Sequence, residues 1–213
     1  MEWKMGRPRA FDENEVLDRA LMLFWERGFE GTSLNDLLAS MKMTKSSLYK
    51  AFGSKEALFR RVLDRYESEH VAFRSTALAE PTPRRIAAAI LHGMVQLHSG
   101  RGTPRGCLGT NAALACSPDA DRVRSHVAGG REEFRVLLRQ RLERTSETAA
   151  LPAGMDADVA ASLIQIMIQG LAVQAKAGSS TPDLEAVVSA FLTSWPTCSE
   201  QTRKADAAEA SSG

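Results

Sequence analysis

Thr32-Ser-Leu-Asn-Asp-Leu-Leu-Ala-Ser-Met-Lys-Met-Thr-Lys-Ser-Ser-Leu-Tyr-Lys-Ala-Phe52 reads as two short helices joined by a tight connection. Ser33 is placed to cap the first helix, with Asp36 in its first turn where a carboxylate suits the positive helix end. Leu34, Leu37, Leu38 and Met41 recur at helical spacing and form its apolar stripe. Met41-Lys42-Met43 makes the connection, and Thr44 caps the second helix. In that helix Leu48 and Phe52 lie four apart and point together to the interior. Lys45, Ser46, Tyr49 and Lys50 fall on the other face, which is basic, hydroxyl-bearing and free of acid. Such a face suits a helix entering a groove lined with phosphates. The expectation is a helix-turn-helix that reads DNA.

The same two helices also suit a plain three-helix scaffold, so the flanks matter. Ser54 is a cap for the next helix, and Lys55 in its first turn opposes the helix dipole. A phosphate seated at that helix end explains such a lysine. The 213-residue chain has a formal net charge of only +1, so positive charge for DNA must be concentrated locally. Residues 42–61 carry Lys42, Lys45, Lys50, Lys55, Arg60 and Arg61 against the single acid Glu56, which leaves the remainder slightly acidic. That division fits a basic reading unit joined to a domain that does not touch DNA.

Composition narrows the classes further. A chain with 44% hydrophobic and 25% charged residues is ordinary for a globular protein able to bury a substantial core. Cys107, Cys116 and Cys198 form an odd set without metal-ligand spacing, so neither a disulfide framework nor a zinc site is expected. The first residues lack the apolar core of a signal peptide, and no uninterrupted apolar stretch reaches membrane-spanning length. The expectation is a cytoplasmic protein without metal, cofactor or membrane partner.

Taken in order, residues 1–11 form a basic arm with Lys4, Arg7 and Arg9, and either a frayed end or a minor-groove arm fits it. Asp12 caps a helix to about residue 27 whose face is Val16, Leu17, Ala20, Leu21, Leu23 and Phe24. Gly28 ends it. A longer helix from Lys55 to the neighbourhood of Phe73 links two halves, and Glu80-Pro-Thr-Pro83 breaks the chain. Helices are expected over residues 84–99, 110–115, 119–147 (with Gly129-Gly130 as a possible kink), 156–177 and 183–195. The helix over 156–177 is apolar nearly all round, the pattern of a helix buried on most sides. It and the last helix suit either an internal core or an interface packed on an identical pair. Residues 199–213 lack large apolar side chains and read as disordered. No strand pattern occurs, so the fold class is all-α. The divisions expected are an arm over 1–11, a helix-turn-helix domain over 12–62, a helical regulatory and dimerisation domain over 63–197, and a tail over 198–213.

Gly28-Phe29-Glu30-Gly31-Thr32-Ser33 and Ser47-Leu48-Tyr49-Lys50-Ala51-Phe52-Gly53-Ser54-Lys55-Glu56-Ala57-Leu58 resemble the amino-terminal domain of the TetR family of transcriptional repressors. The resemblance covers about residues 7–62. It continues more weakly through Arg105-Gly106-Cys107-Leu108 and Ala113-Leu114-Ala115-Cys116-Ser117-Pro118, which are similar to one regulatory-domain branch. Lys42 and Ser46 depart from it, since the family often has Gly at both places. The resemblance implies a homodimer on a near-palindromic double-stranded operator, with a small-molecule inducer bound in the helical second domain. It favours the arm for Arg7 and Arg9. Lys45, Ser46, Ser47 and Tyr49 would face bases or nearby phosphates, Thr32, Ser33, Lys50 and Lys55 would hold phosphates, and Thr44 belongs to the same surface. Candidate pocket residues are Phe73, Leu91, Met94, His98, Cys107, Asn111, Phe134, Met167 and Gln174. Candidate dimer residues are Leu163, Met167, Gly170, Leu171, Gln174, Val188, Phe191, Leu192 and Trp195.

The sequence bears on two other classes. An enzyme fits poorly, because there is no Gly-rich phosphate loop, no paired-histidine metal spacing and no nucleophile with a recognisable base. The alternative input is a redox or electrophile sensor signalling through Cys107, which follows Arg105 and precedes a short helix.

Overall fold

Most helices in this chain begin at a side-chain cap, and the caps fix where the elements fall. The computed structural model describes residues 12–113, 120–146 and 149–196, and every regular element among them is helical. Asp12 accepts the amide of Asn14 at 2.9 Å and opens α1 (Glu13–Arg27). Ser33 and Asp36 cap each other's backbone at the head of α2 (Leu34–Met41), a complete capping box. Thr44 accepts the Ser47 amide at 3.2 Å to open α3 (Lys45–Phe52), and Ser54 accepts the Ala57 amide at 3.0 Å to open α4 (Lys55–Glu69). Lys42 closes α2 with φ of 53°. This is the left-handed conformation that glycine adopts at no steric cost, which accounts for the Gly that the family often has there.

α1 to α4 enclose a small aromatic core. The Phe59 ring meets Phe24 edge-on at 5.2 Å and Phe29 at 5.3 Å, and Leu37, Leu48 and Leu58 fill the space around them. Beyond α4 come α5 (Phe73–Leu78), α6 (Pro83–His98), α7 (Leu108–Ala113), α8 (Asp121–Ser146), α9 (Ala157–Lys176) and α10 (Thr181–Leu192). α9 lies among α6, α8 and α10 and forms the centre of this second layer.

The sequence expectations differ from these elements in several places. The linker helix ends at Glu69 rather than near Phe73: Val71 turns into the core, and Phe73 settles over Gly93 of α6, where a Cβ would overlap its ring. α7 starts at Leu108, two residues earlier than expected, because Gly106 turns the chain with φ of 86° and Leu108 is buried. α8 runs unbroken through Gly129-Gly130. α10 begins at Thr181 behind the Ser180 cap and stops at Leu192, so Trp195 lies beyond it. α9 has the length and composition of a membrane span, with mean hydropathy of 1.3, but its path is marked by Gln165, Gln169 and Gln174 and it packs on α6 and α8. The basic arm with Arg7 and Arg9 and the tail from residue 198 lie outside the described residues.

The two layers are joined where α1 ends. The last carbonyls of any helix lack intrahelical donors. Here the second layer supplies them. Asn111 Nδ2 donates to the Trp25 carbonyl at 2.8 Å, and Lys176 Nζ donates to the Glu26 carbonyl at 2.6 Å. Trp25 Nε1 returns a bond of 2.8 Å to the Gly106 carbonyl. Gly28 follows with φ of 75°, and a Cβ there would stand 2.8 Å from the Asn111 carbonyl oxygen. Gly28→Ala should therefore destabilise the chain by about 1–3 kcal/mol, through positive φ and the closed space together. Urea unfolding followed by circular dichroism checks this, and a change within experimental error would show that the junction yields freely.

Candidate nucleic-acid interface and regulatory cavity

α3 presents two unlike faces. Leu48 and Phe52 are buried, whereas Lys45, Ser46, Ser47, Tyr49 and Lys50 are exposed, and Tyr49 is among the few large apolar side chains left in solvent. The hydroxyls of Thr44 and Ser47 stand 2.9 Å apart at the start of the helix. Ser33 is exposed beside them in sequence space but is already engaged with Asp36, whose carboxyl is held below its ordinary range mainly by the Ser33 hydroxyl and amide. Lys55 Nζ lies 4.3 Å over the Phe29 ring, and burial lowers its pKa. Thr32 is placed differently from the expectation of a phosphate contact. It is 0% exposed, and its hydroxyl donates to the Gly28 carbonyl at 2.7 Å, so it binds the α1–α2 turn together.

Beneath the junction, α4, α6, α7, α8 and α9 leave a cavity of about 680 Å³. Its apolar wall includes Leu63, Val71, Met94, Val127 and Ile168, and its polar lining includes Tyr66, Glu67, Arg74, Cys107, Thr110, Arg131 and Gln165. Of the expected pocket residues, Met94 and Cys107 line it. His98 lies behind Cys107. Leu91 is wholly within the core, Phe73 covers Gly93, and Asn111 is turned to the α1 end. Phe134 lies under the Arg74 guanidinium at 4.2 Å. Met167 is half-buried and Gln174 exposed, and neither lines the cavity. Tyr66, Thr110, Arg131 and Gln165 escaped the sequence reading because five helices, distant along the chain, converge on one space. Tyr66 was legible only as a member of the apolar face of α4.

Cys107 is a strongly perturbed group of the cavity. Burial pushes its thiol up, but the His98 imidazole and the Tyr66 hydroxyl, 3.5 Å from the sulfur, outweigh that and draw it down to about 6. His98 is fully buried, and neither of its ring nitrogens has another hydrogen-bond partner. Tyr66 itself is raised by burial and carries the other side of its ring against Trp25, edge-on at 4.8 Å. The cavity thus touches the junction directly.

The expected dimer face is partly redrawn. Leu171, Val188, Leu192 and Trp195 turn into the chain's own core. Exposed instead are Val159, Ile166 and Val173 of α9 and Val187 of α10, with Ile166 at 63% and Val187 at 51%, beside Gly170 and half-buried Leu163, Met167 and Phe191. An apolar exposed stripe of this kind on two adjacent helices marks an interaction surface.

Comparison with known proteins completes the assignment. Residues 16–62 match the family described as bacterial regulatory proteins, tetR family, and residues 83–191 match the tetracyclin repressor-like C-terminal domain. The chain belongs to the TetR family. It is a DNA-binding transcriptional regulator. It is 31% identical to the HTH-type transcriptional repressor ComR of Escherichia coli (strain K12) over 193 residues, covering 90% of this chain and 92% of that protein. Its fold is similar to a cysteine mutant of the TetR family regulator CifR, solved with 26-bp double-strand operator DNA, with a TM-score of 0.83 and 39% identity over 89% of this chain and 100% of that one. The reduced form of Escherichia coli NemR is similar with a TM-score of 0.71 and 27% identity, over 86% of this chain and 96% of that one.

The low thiol pKa makes a direct test. In a Cys116→Ser, Cys198→Ser background, alkylation of Cys107 by iodoacetamide should reach half its maximal rate near pH 6, against about 8.5 for an ordinary thiol. Because the folded pKa is depressed, the thiolate is retained as pH falls from 8 to 7 and lost through 6. Replacing His98 by Ala should move the midpoint upward, and peptide mass spectrometry reads both.

Proposed function

We propose that this regulator is a homodimeric repressor whose two α3 helices enter successive major grooves of a near-palindromic operator, and that a small molecule in the cavity releases it. The observation that carries the reading is the acid-free outer face of α3, held out by a buried Leu48 and Phe52. On this reading Lys45, Ser46, Ser47 and Tyr49 approach base edges or nearby phosphates, while Ser33, Thr44, Lys50 and Lys55 hold phosphates, with Arg7 and Arg9 in the arm. Residues 12–62 form the reading domain and 63–197 the regulatory and dimerisation domain. A DNA reader of this kind acts in the cytoplasm, where bacterial DNA lies.

Release follows from linkage: a ligand shifts DNA affinity only by its different affinity for the two arrangements of the reading heads. The capped end of α1 supports a route for that difference, since Tyr66 of the cavity wall packs on Trp25 and Gly106 adjoins Cys107. A second reading, chemical sensing through Cys107, rests on the thiol's position in the cavity wall and its low pKa. It differs from the first only in how the cavity is occupied.

Selection of genomic fragments by the purified protein at moderate salt tests the reader. An inverted repeat should be recovered by the native chain and lost by a Lys45→Ala, Tyr49→Ala variant. Equal, sequence-indifferent recovery by both would overturn the reading. Dimerisation is tested separately. Ile166→Glu places a charge on the most exposed apolar position of α9, and should convert the dimer to monomers in sedimentation velocity. Unchanged sedimentation would move the interface elsewhere.

A further inference from the structure

Two guanidinium groups line the cavity, and their circumstances differ. Arg74 is engaged: it pairs with Glu67 and covers the Phe134 ring. Arg131 has only the Thr110 hydroxyl, at 3.3 Å, and no carboxylate of the described residues lies within ion-pair distance of it. Thr110 is 3% exposed, so this cation is turned toward the deep wall. Gly129 and Gly130 precede it on α8 and also line the cavity, and a Cβ on either would meet nothing within 4 Å, which leaves open space beside the guanidinium. On α9, Gln165 presents a buried Oε1 that no donor reaches. A partly buried cation without a counter-charge and a buried acceptor without a donor, in one cavity, are uncompensated desolvation that a ligand can relieve.

We propose that the inducer is a small organic carboxylate bearing a hydroxyl or amide donor, its acid group paired with Arg131 and its donor bonded to Gln165. This rests on the ligand-release reading of the same cavity. A guanidinium meets a carboxylate through two parallel bonds, which gives such a site a preference for acids over neutral molecules of the same shape. The cavity's own carboxylates do not reverse that preference. Asp64 and Glu133 are exposed at its rim, where water screens them, and Glu67, whose carboxyl pKa is raised by burial, is already held by Arg74. The apolar wall formed by Leu63, Met94 and Ile168 accommodates the body of the ligand.

Calorimetric titration of the full chain with 4-hydroxybenzoate and 4-hydroxyphenylacetate, each against its primary amide, tests the proposal. The acids should bind about tenfold or more tightly than the amides, the worth of one charge-assisted contact. Arg131→Gln should abolish the ratio and Arg131→Lys should keep part of it, with circular dichroism confirming that both variants fold. Gln165→Leu should erase the advantage of 4-hydroxybenzoate over benzoate while leaving the acid preference. Equal binding of acids and amides, a preference that survives Arg131→Gln, or no binding of any acid at millimolar concentration would overturn the proposal. Operator release measured in parallel separates the two readings. Release by amides alone keeps ligand release and refutes the carboxylate, whereas acid binding without any effect on operator affinity keeps the carboxylate site and refutes release.

Discussion

The end of α1 is the constraint on which the rest of the molecule depends. A helix cannot finish in a protein interior with its last carbonyls unpartnered. Here the Trp25 and Glu26 carbonyls find donors across the boundary between the reading unit and the helical domain, in Asn111 and Lys176. Trp25 completes the exchange by donating to Gly106 from a fully buried ring. The reading head is therefore not a bead on a flexible linker. Its first helix is finished by residues of the second, helical domain.

This arrangement gives α4 a companion. The linker helix carries Leu58, Phe59 and Val62 into the core of the reading unit and Leu63 and Tyr66 to the cavity. A ligand in the proposed site that pressed on Tyr66 would act on α4 and, through the edge-on contact with Trp25, on α1 as well. Two helices that scaffold the same small core are thus exposed to one cavity. Close-packed interiors respond to such pressure by shifting between discrete arrangements rather than yielding locally.

The cavity itself is chemically uneven. One side holds a satisfied pair, Arg74 with Glu67, backed by an aromatic ring. The other holds a thiol drawn toward its anion, a guanidinium without a counter-charge and a glutamine oxygen without a donor. Polar groups left short of partners reduce stability, and their persistence in one cavity is characteristic of a site shaped for an occupant.

What the sequence by itself determined was local. Ser33, Thr44 and Ser54 are caps whose hydroxyls reach amides three residues away, so the helix-turn-helix, its buried Leu48 and Phe52 and its basic face follow from spacing alone. The family resemblance added the dimer and the ligand to that reading. Tertiary structure decided everything that depends on which distant helices meet. Thr32 has the look of a phosphate contact until Gly28 is seen to turn its carbonyl toward it. Asn111 has the look of a pocket residue until the end of α1 is placed beside it. On α9, apolar nearly all round, periodicity does not separate Leu171, which faces the core, from Ile166, which faces outward. The physical reason is the same in each case: a cap is satisfied within a few residues of chain, whereas a cavity wall, an interface or a shared helix end is satisfied only by groups that folding brings from elsewhere.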